Sequence, residues 1–104
     1  MLNQCVLVGR VKMLPTTKQT SQKNTVAQVL LEVDRNFRNS DGTLGSDIFQ
    51  VTLWKGIAEM CIDNCKVGSI IAVKGRLQAN IYETDKNKTF YNYEIIAEKV
   101  SFIS

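Results

Sequence analysis

The sequence predicts an all-β fold of five strands, with one short helix between the third strand and the fourth. Most apolar residues alternate with polar ones, which is the two-residue period of a strand with one buried face. Residues 56–65 instead space their apolar side chains by three or four, as an amphipathic helix does. Five short strands with a helix after the third are typical of an OB-fold, a small Greek-key barrel. An open sheet with one helix stays the alternative.

Three strands are predicted before the helix, at residues 4–11, 26–34 and 48–54. The polar stretches 15–24 and 36–47 are predicted as loops, because turn-forming residues are concentrated there. Side chains alternate across a strand, so each strand has one face for the core. The faces assigned to the core contain Ala27, Val29, Leu31 and Val33 in the second strand and Phe49, Val51 and Leu53 in the third.

After the helix, a long strand is predicted at residues 69–82, a charged turn at 83–88 and the last strand at 90–97. In the last strand the tyrosines share the apolar face with Ile95 and are assigned to the core or its rim. The apolar stripe of the helix contains Ile57, Ala58, Cys61, Ile62 and Cys65. The inward residues of the fourth strand are Ile71, Val73, Leu77, Ala79 and Ile81, and the two tyrosines are Tyr91 and Tyr93.

The length of 104 residues suits one core, so we expect a single domain over residues 1–104. The 13 basic and 10 acidic side chains leave a net charge of +3, too mild a bias to indicate a nucleic-acid partner by itself. No apolar run approaches the roughly 18 to 20 residues that cross a bilayer, and the first residues do not resemble a signal peptide. Together with an odd count of three cysteines, this favours a cytoplasmic protein without disulfides and without a membrane partner.

The chain offers no residue set for catalysis or for a metal site. It contains no histidine, and it lacks a nucleophile elbow, a Walker loop and paired carboxylates in an apolar setting. Cys61 and Cys65 lie four residues apart, but only Cys5 remains as a further thiol for a zinc site. We therefore expect neither an enzyme nor a cofactor, and we interpret the cysteines as small buried hydrophobes.

The outward faces of the strands carry the residue types that bind unpaired nucleic acid. The single tryptophan, Trp54, lies on the polar side of the third strand. Phosphates bind Lys and Arg, and unstacked bases stack on aromatic rings. Each of these residues also has a purely structural interpretation. The tryptophan is then partly buried or contacts another protomer, the cations form a solvated strand face, and the phenylalanine packs against its own loop. Gly75 is then the site of a bend in the strand rather than of the close approach of a nucleotide. The outward residues of the fourth strand are Lys74, Arg76, Gln78, Asn80 and Tyr82. At the predicted hairpin, Arg35, Phe37 and Arg38 likewise combine basic side chains with an aromatic ring.

Segments along nearly the whole chain resemble the bacterial single-stranded DNA-binding protein family. The opening Asn3 to Val11 resembles the family's Asn-x-x-x-Leu-Val-Gly-Arg-Leu start. The other matching segments are Thr25–Val33, Asp47–Trp54 with Ala58-Glu59, Val67–Ser69, Val73–Leu77 and Tyr91–Glu94.

The resemblance implies a non-enzymatic protein that binds single-stranded DNA without strong sequence preference during replication, recombination or repair. It implies stacking on Phe37, Trp54 and Tyr82. Where the family commonly has a further aromatic residue, this chain has Ile48, so either one stacking position is lost or a bulge lets Phe49 replace it. The predicted DNA-binding set is Arg10, Lys12, Arg35, Phe37, Arg38, Trp54, Lys55, Lys74, Arg76, Gln78, Asn80, Tyr82 and Lys88.

The resemblance also implies a homotetramer built from dimers, with a dimer as the alternative, in the cytoplasm at the nucleoid. The N-terminal strand and the outer barrel surface are the implied contacts. Family members that serve replication have an acidic tip that recruits partner enzymes. The sequence stops at Ser104 without such a tip, so no replication partner is predicted. A truncated chain and a naturally short one are both left as alternatives. Two alternatives remain: a module like primosomal replication protein N, acting mainly through protein contacts, and an RNA-binding barrel.

Overall fold

Five strands and one helix follow one another in the predicted order. The computed structural model describes all 104 residues. The helix lies between the third and fourth strands, and its bounds are within one residue of those predicted. The elements are β1 (Cys5–Gln19), β2 (Thr25–Arg38), β3 (Leu44–Trp54), α1 (Lys55–Asn64), β4 (Ile70–Glu83) and β5 (Thr89–Phe102).

The strands close into a barrel in the order β1-β2-β3-β5-β4. Neighbouring strands are antiparallel except β3 and β5, which run parallel. The parallel contact is short, because only Val51 with Ile95 and Thr52 with Ile96 are paired. The swap of β4 and β5 in space and the closed ring confirm the OB-fold and exclude the open sheet. They also leave a fork between β3 and β5 on the side where the two strands separate.

The core lies inside the barrel and under α1. Most of the predicted inner faces of β2 and β3 is buried, with Leu31 and Leu53 fully inaccessible to solvent, whereas Val33 and Phe49 are only partly buried. From α1, Ala58 and Cys61 are also fully buried. The inclusion of Ile62 in the apolar stripe is wrong, because this side chain lies on the solvent flank of the helix and is exposed. Every buried side-chain nitrogen and oxygen has a hydrogen-bond partner, so the core contains no unsatisfied polar side chain.

The strands are longer than predicted, and the loops between them are shorter. Half of the predicted loop 15–24 belongs to the end of β1, which pairs with the start of β2. A register shift between Met13 and Thr16 spans Pro15, and such an irregularity accommodates a residue that has no N–H to donate. The loop predicted at 36–47 shrinks to a turn in which the Asp41 carboxylate accepts a hydrogen bond from the Thr43 main-chain N–H at 3.0 Å. Cross-strand hydrogen bonds hold these polar segments extended, and composition does not reveal such bonds.

The end of the β4–β5 hairpin projects beyond the barrel. The contact of β4 with β1 ends at Gly75, and the contact of β5 with β3 begins only at Ile95. From Arg76 to Glu94 the two strands therefore pair only with each other, and we call this segment the β4–β5 arm. Assigning the inward face of the arm to the core is wrong, because no second layer covers it. The exposed residues of that face are Leu77, Ala79, Ile81, Tyr91 and Tyr93.

Gly75 lies where β4 bends into the arm, at a register shift between β4 and β5. A Cβ atom at this position would meet the main-chain carbonyl of Ile96 on the neighbouring strand. The glycine is therefore required by the close packing of β4 on β5, which favours the bend over the approach of a nucleotide.

Candidate nucleic-acid interface

The outer face of the barrel, which points away from the core, is continuous across four strands. The strand registers place Gln28 of β2, Thr52 of β3, Ile96 of β5 and Arg76 of β4 in one row, in which Thr52 and Ile96 are buried. Neighbouring strands lie about 4.8 Å apart, so this row spans about 14 Å. Trp54 is two residues beyond Thr52 and faces the same way. The fold thus joins Trp54 and Arg76 in one surface, although the sequence places each only within its own strand.

Trp54 ends β3 and is 37% exposed, as expected for an outward residue. Its partner across the sheet is Val26 of β2. The next residue, Lys55, has a φ of 52°, a left-handed conformation that turns the chain directly into α1. The indole therefore lies at a sharp corner of the main chain, outside the core and accessible to a ligand.

Tyr82 forms a second aromatic surface near the end of the β4–β5 arm. Its ring stacks on that of Phe90, with centroids 5.3 Å apart and an interplanar angle of 21°. Tyr82 is 50% exposed and Phe90 42% exposed. Sequence reasoning missed Phe90, although pairing the two strands around the charged turn places it opposite Tyr82.

Phe37 lies apart from the other two aromatic residues, near the tip of the β2–β3 hairpin. It is 63% exposed. Its neighbour Arg38 pairs with Leu44 at the start of β3, whereas Trp54 ends that strand. Ten residues at about 3.3 Å each put the two ends of β3 up to about 33 Å apart. The three predicted stacking residues are therefore distributed along the molecule rather than clustered.

Three of the predicted DNA-binding cations are paired with carboxylates of the protein. Arg10 donates to Asp34 at 2.9 Å and to Glu32 at 3.2 Å, and Lys12 lies 3.7 Å from Glu32. The hydrogen bond that Arg10 donates to Asp34, and then the one that it donates to Glu32, raise the pKa of Arg10. Sequence reasoning missed these acids, although alternation places Glu32 on the outer face of β2.

Arg35 donates two hydrogen bonds to the single carboxylate of Asp47. The Nε–O and Nη2–O distances are 3.1 and 2.7 Å. The hydrogen bond from Arg35 lowers the pKa of Asp47. Asp47 lies on the same side of β3 as the core residue Val51, so Arg35 is tied to the inner rather than the outer side of its hairpin.

The other five predicted cations form no ion pair. Arg38 donates to the Gly42 carbonyl at 3.0 Å, and the half-buried Arg76 donates to the amide oxygen of Gln78 at 2.9 Å. Lys55, Lys74 and Lys88 are exposed and have no hydrogen-bond partner on their amines. Lys74 lies between Val6 of β1 and Lys99 of β5, beyond the bend from Arg76.

The fork between β3 and β5 holds a polar cluster that sequence reasoning missed. The carboxylate of Glu94 accepts hydrogen bonds from the buried Thr52 hydroxyl at 2.8 Å and from the predicted site residue Asn80 at 3.3 Å. The amide of Gln50 donates to that of Gln28. No signal in the sequence pairs Thr52 with Glu94, because they are far apart in the chain and meet only through barrel closure. A cavity of about 360 Å³ opens beside them, lined by Gln28, Ile48, Phe49, Gln50, Thr52, Tyr93, Glu94 and Ile95.

The structure contains no group of three or more histidine, cysteine, aspartate or glutamate side chains placed to hold a metal ion. The Cys61 and Cys65 thiols are free and buried, and burial raises the pKa of Cys61 to about 12. No helix is long and apolar enough to span a membrane. The chemistry available on the surface is therefore that of aromatic rings, amides, cations and one carboxylate group in a cavity.

Comparison with protein families gives one match over almost the full length. Residues 2–103 match the family described as the single-strand binding protein family. The chain is 38% identical over 103 residues to single-stranded DNA-binding protein B of Bacillus subtilis, and the match covers 99% of this chain and 91% of that protein. It is also 38% identical to single-stranded DNA-binding protein 3 of Listeria innocua, covering 64% of that longer protein.

Solved structures show the same fold. The wild-type single-stranded DNA-binding protein from Thermus aquaticus superposes with a TM-score of 0.81 at 25% identity, over 99% of this chain and 50% of that one. The Plasmodium falciparum protein, solved in complex with single-stranded DNA, superposes with a TM-score of 0.81 at 22% identity, over 100% and 96% of the two chains. The latter likeness supports the fold alone. The chain therefore spans about half of the Thermus protein and most of the Bacillus and Plasmodium ones.

Proposed function

Because the chain belongs to the single-strand binding protein family, we propose that it binds single-stranded DNA without strong sequence preference and protects it during replication, recombination or repair. The family consists of binding proteins, so the chain is not an enzyme. The observation that carries the proposal is the outer face, on which the exposed Trp54 ring, the Arg76 guanidinium and the exposed Tyr82 ring lie in one surface.

Stacking supplies the sequence-independent part of the affinity. Every base has a π-face, so an exposed ring binds all four, at about 1–3 kcal/mol for each base. Trp54 offers one such ring, and the half-exposed Tyr82 of the Tyr82–Phe90 pair offers a second. The stacked Phe90 limits the motion of the Tyr82 ring, so less side-chain entropy is lost when a base stacks on it. Phe37 supplies a third position at the far end of the β2–β3 hairpin.

Phosphate contacts come mainly from cations without a carboxylate partner. Lys55 adjoins Trp54, and Arg76 lies in the central row with Lys74 on the other side of the Gly75 bend. Lys88 lies in the turn of the β4–β5 arm, and Arg38 adjoins Phe37 at the β2–β3 hairpin. Arg10, Lys12 and Arg35 contribute less, because their charge is already balanced by Glu32, Asp34 and Asp47. We place the DNA along the outer face from Trp54 across Arg76 to Tyr82. This path alternates rings with cations, as backbone-tracking grooves do.

Titration with oligo(dT) tests this proposal directly. Trp54 is the only tryptophan, so stacking of a base on it quenches the whole tryptophan emission. We expect saturable quenching by oligo(dT), weakening with added salt, and much weaker binding of a duplex of equal length. Equal or tighter binding of the duplex would contradict the proposal. An oligo(U) of the same length is the control for RNA, and a clear preference for it would instead indicate the RNA-binding alternative.

The proposal includes a homo-oligomer, most simply a tetramer of paired dimers. It is supported by Val6 and Val8, two apolar side chains of β1 that lie exposed on the outer face beside Ala72 and Lys74. Light scattering coupled to size exclusion measures the mass. The Val6→Ser and Val8→Ser double variant should yield a smaller species with an unchanged circular dichroism spectrum. A wild-type chain that elutes as a monomer at high concentration would refute the assembly without affecting DNA binding.

A further inference from the structure

We infer that the cavity in the β3–β5 fork is a base-recognition site that prefers a base with an amino group, guanine best, and disfavours thymine. The inference rests on the proposed binding of single-stranded DNA and adds local base selectivity to it. The cavity adjoins the central row of the outer face, since Gln28 and Thr52 belong to both. A strand that passes from Trp54 to the β4–β5 arm must cross it.

The cavity exists because β3 and β5 part on one side of their short pairing. Phe49 and Gln50 have strand partners only on β2, and Tyr93 and Glu94 only on β4. Two unpaired strand edges therefore face each other across the gap. The resulting volume of about 360 Å³ lies at the lower end of the range for ligand pockets. Apolar atoms of Ile48, Phe49 and Ile95 form its walls, and the exposed ring of Tyr93 lies at its edge.

The polar group that selects the base is the Glu94 carboxylate. It has no cation within salt-bridge distance. Its two hydrogen bonds, from Thr52 and Asn80, use one oxygen each. An ionised carboxylate accepts at about four positions, so each oxygen keeps free capacity. Such a group in a DNA-binding surface repels phosphates, and the partner that suits it is a neutral N–H donor.

The four bases differ in the donors that they offer on their free Watson–Crick edge. Guanine presents two adjacent donors, N1–H and the N2 amino group, which match the two oxygens of a carboxylate. Adenine and cytosine present one amino group each, and acidic side chains accept hydrogen bonds from the cytosine N4 amino group in other complexes. Thymine presents a single N–H between two carbonyl oxygens, which are repelled by the carboxylate. The neighbouring Gln28 and Gln50 amides bind either donors or acceptors and do not reverse this order.

The test compares the affinities of alternating d(GT), alternating d(IT) and d(T) oligonucleotides of equal length. Each affinity is measured by the fluorescence anisotropy of a label at one end of the oligonucleotide. Lithium buffer prevents the formation of guanine quartets. Inosine keeps the purine ring and N1–H but lacks the N2 amino group, so it controls for stacking. We expect d(GT) to bind about tenfold more tightly than d(IT), as for one hydrogen bond to a charged group. Equal affinities for d(GT) and d(IT) would overturn the inference.

The matched variants are Glu94→Gln and Glu98→Gln. Both remove one negative charge from β5, but Glu98 is exposed and does not line the cavity. Glu98→Gln should raise the affinity for all three oligonucleotides slightly and keep the d(GT) over d(IT) ratio. Glu94→Gln should raise the affinity for d(T) and d(IT) slightly but lower it for d(GT), so that this ratio falls to about one. Retention of that ratio in Glu94→Gln would refute the assignment. If Glu94→Gln does not fold, the wild-type comparison decides. Failure to bind any of the three oligonucleotides would refute the proposed function instead.

Discussion

The strongest test of the outer face compares two cations that the sequence treats alike. Arg10 and Lys74 both lie on outward strand positions and were both predicted to contact DNA. The fold distinguishes them, because Arg10 is bonded to Glu32 and Asp34 whereas Lys74 has no acidic partner. Replacing each with alanine should therefore have different effects on the salt dependence of binding.

The expected size follows from counterion release. Each phosphate neutralised on a single strand contributes about 0.7 to the slope of log K against log salt. If all eight predicted cations contacted phosphates, the slope would be about −5.6 per protomer. The five cations without carboxylate partners give about −3.5 instead. Lys74→Ala should reduce the magnitude of the slope by about 0.7, and Arg10→Ala should leave it nearly unchanged.

The measurement is the anisotropy of labelled oligo(dT) over a series of NaCl concentrations, for the wild type and both variants. Circular dichroism before and after each series checks that both variants stay folded. A wild-type slope near −5.6 would show that the ion pairs open on binding. An equal reduction by Arg10→Ala and Lys74→Ala would lead to the same conclusion. Either result would refute the reasoning that internal carboxylates keep Arg10 from DNA.

Three further predictions concern rings, core and thiols. Trp54→Ala and Tyr82→Ala should each weaken binding by about 1–3 kcal/mol in the anisotropy assay without changing the salt slope, and a changed slope would argue against stacking. Leu53→Ala should lower the free energy of unfolding in urea by about 2–5 kcal/mol, and Leu77→Ala by less than about 0.5, because only Leu53 is buried. Cys61, whose pKa burial raises from 9.0 to about 12, should resist alkylation at neutral pH until the protein unfolds, as counted by mass spectrometry. Since the folded pKa is the higher one, its contribution to stability is lost as the pH rises from about 9 towards 12.

Local periodicity was sufficient to determine the order of the elements and the inner faces of the central strands. Ala27, Val29 and Leu31 recur at every second position of β2, and all three are buried. The same rule placed Trp54 outside the core, and it is exposed. These features depend only on the geometry of a strand, in which successive side chains point to opposite sides, so they are readable from short segments of sequence.

Whether a face is covered depends on the tertiary structure. Leu77 and Ile81 continue the period of Ile71 and Val73, yet they are exposed because β1 and β3 end before the β4–β5 arm does. Periodicity distinguishes the two sides of a strand and contains no information on where the second layer stops.

The chemistry of the candidate site depends on register and closure. Glu32 neutralises Arg10 because β1 and β2 pair those two residues, and a shift of one position would separate them. Glu94 meets Thr52 because the barrel closes between β5 and β3. The sequence by itself therefore determined the element order, the central core faces and the residue types of the outer face. The tertiary structure decided which cations are free and where the cavity lies, because contacts between distant residues depend on strand pairing rather than on local pattern.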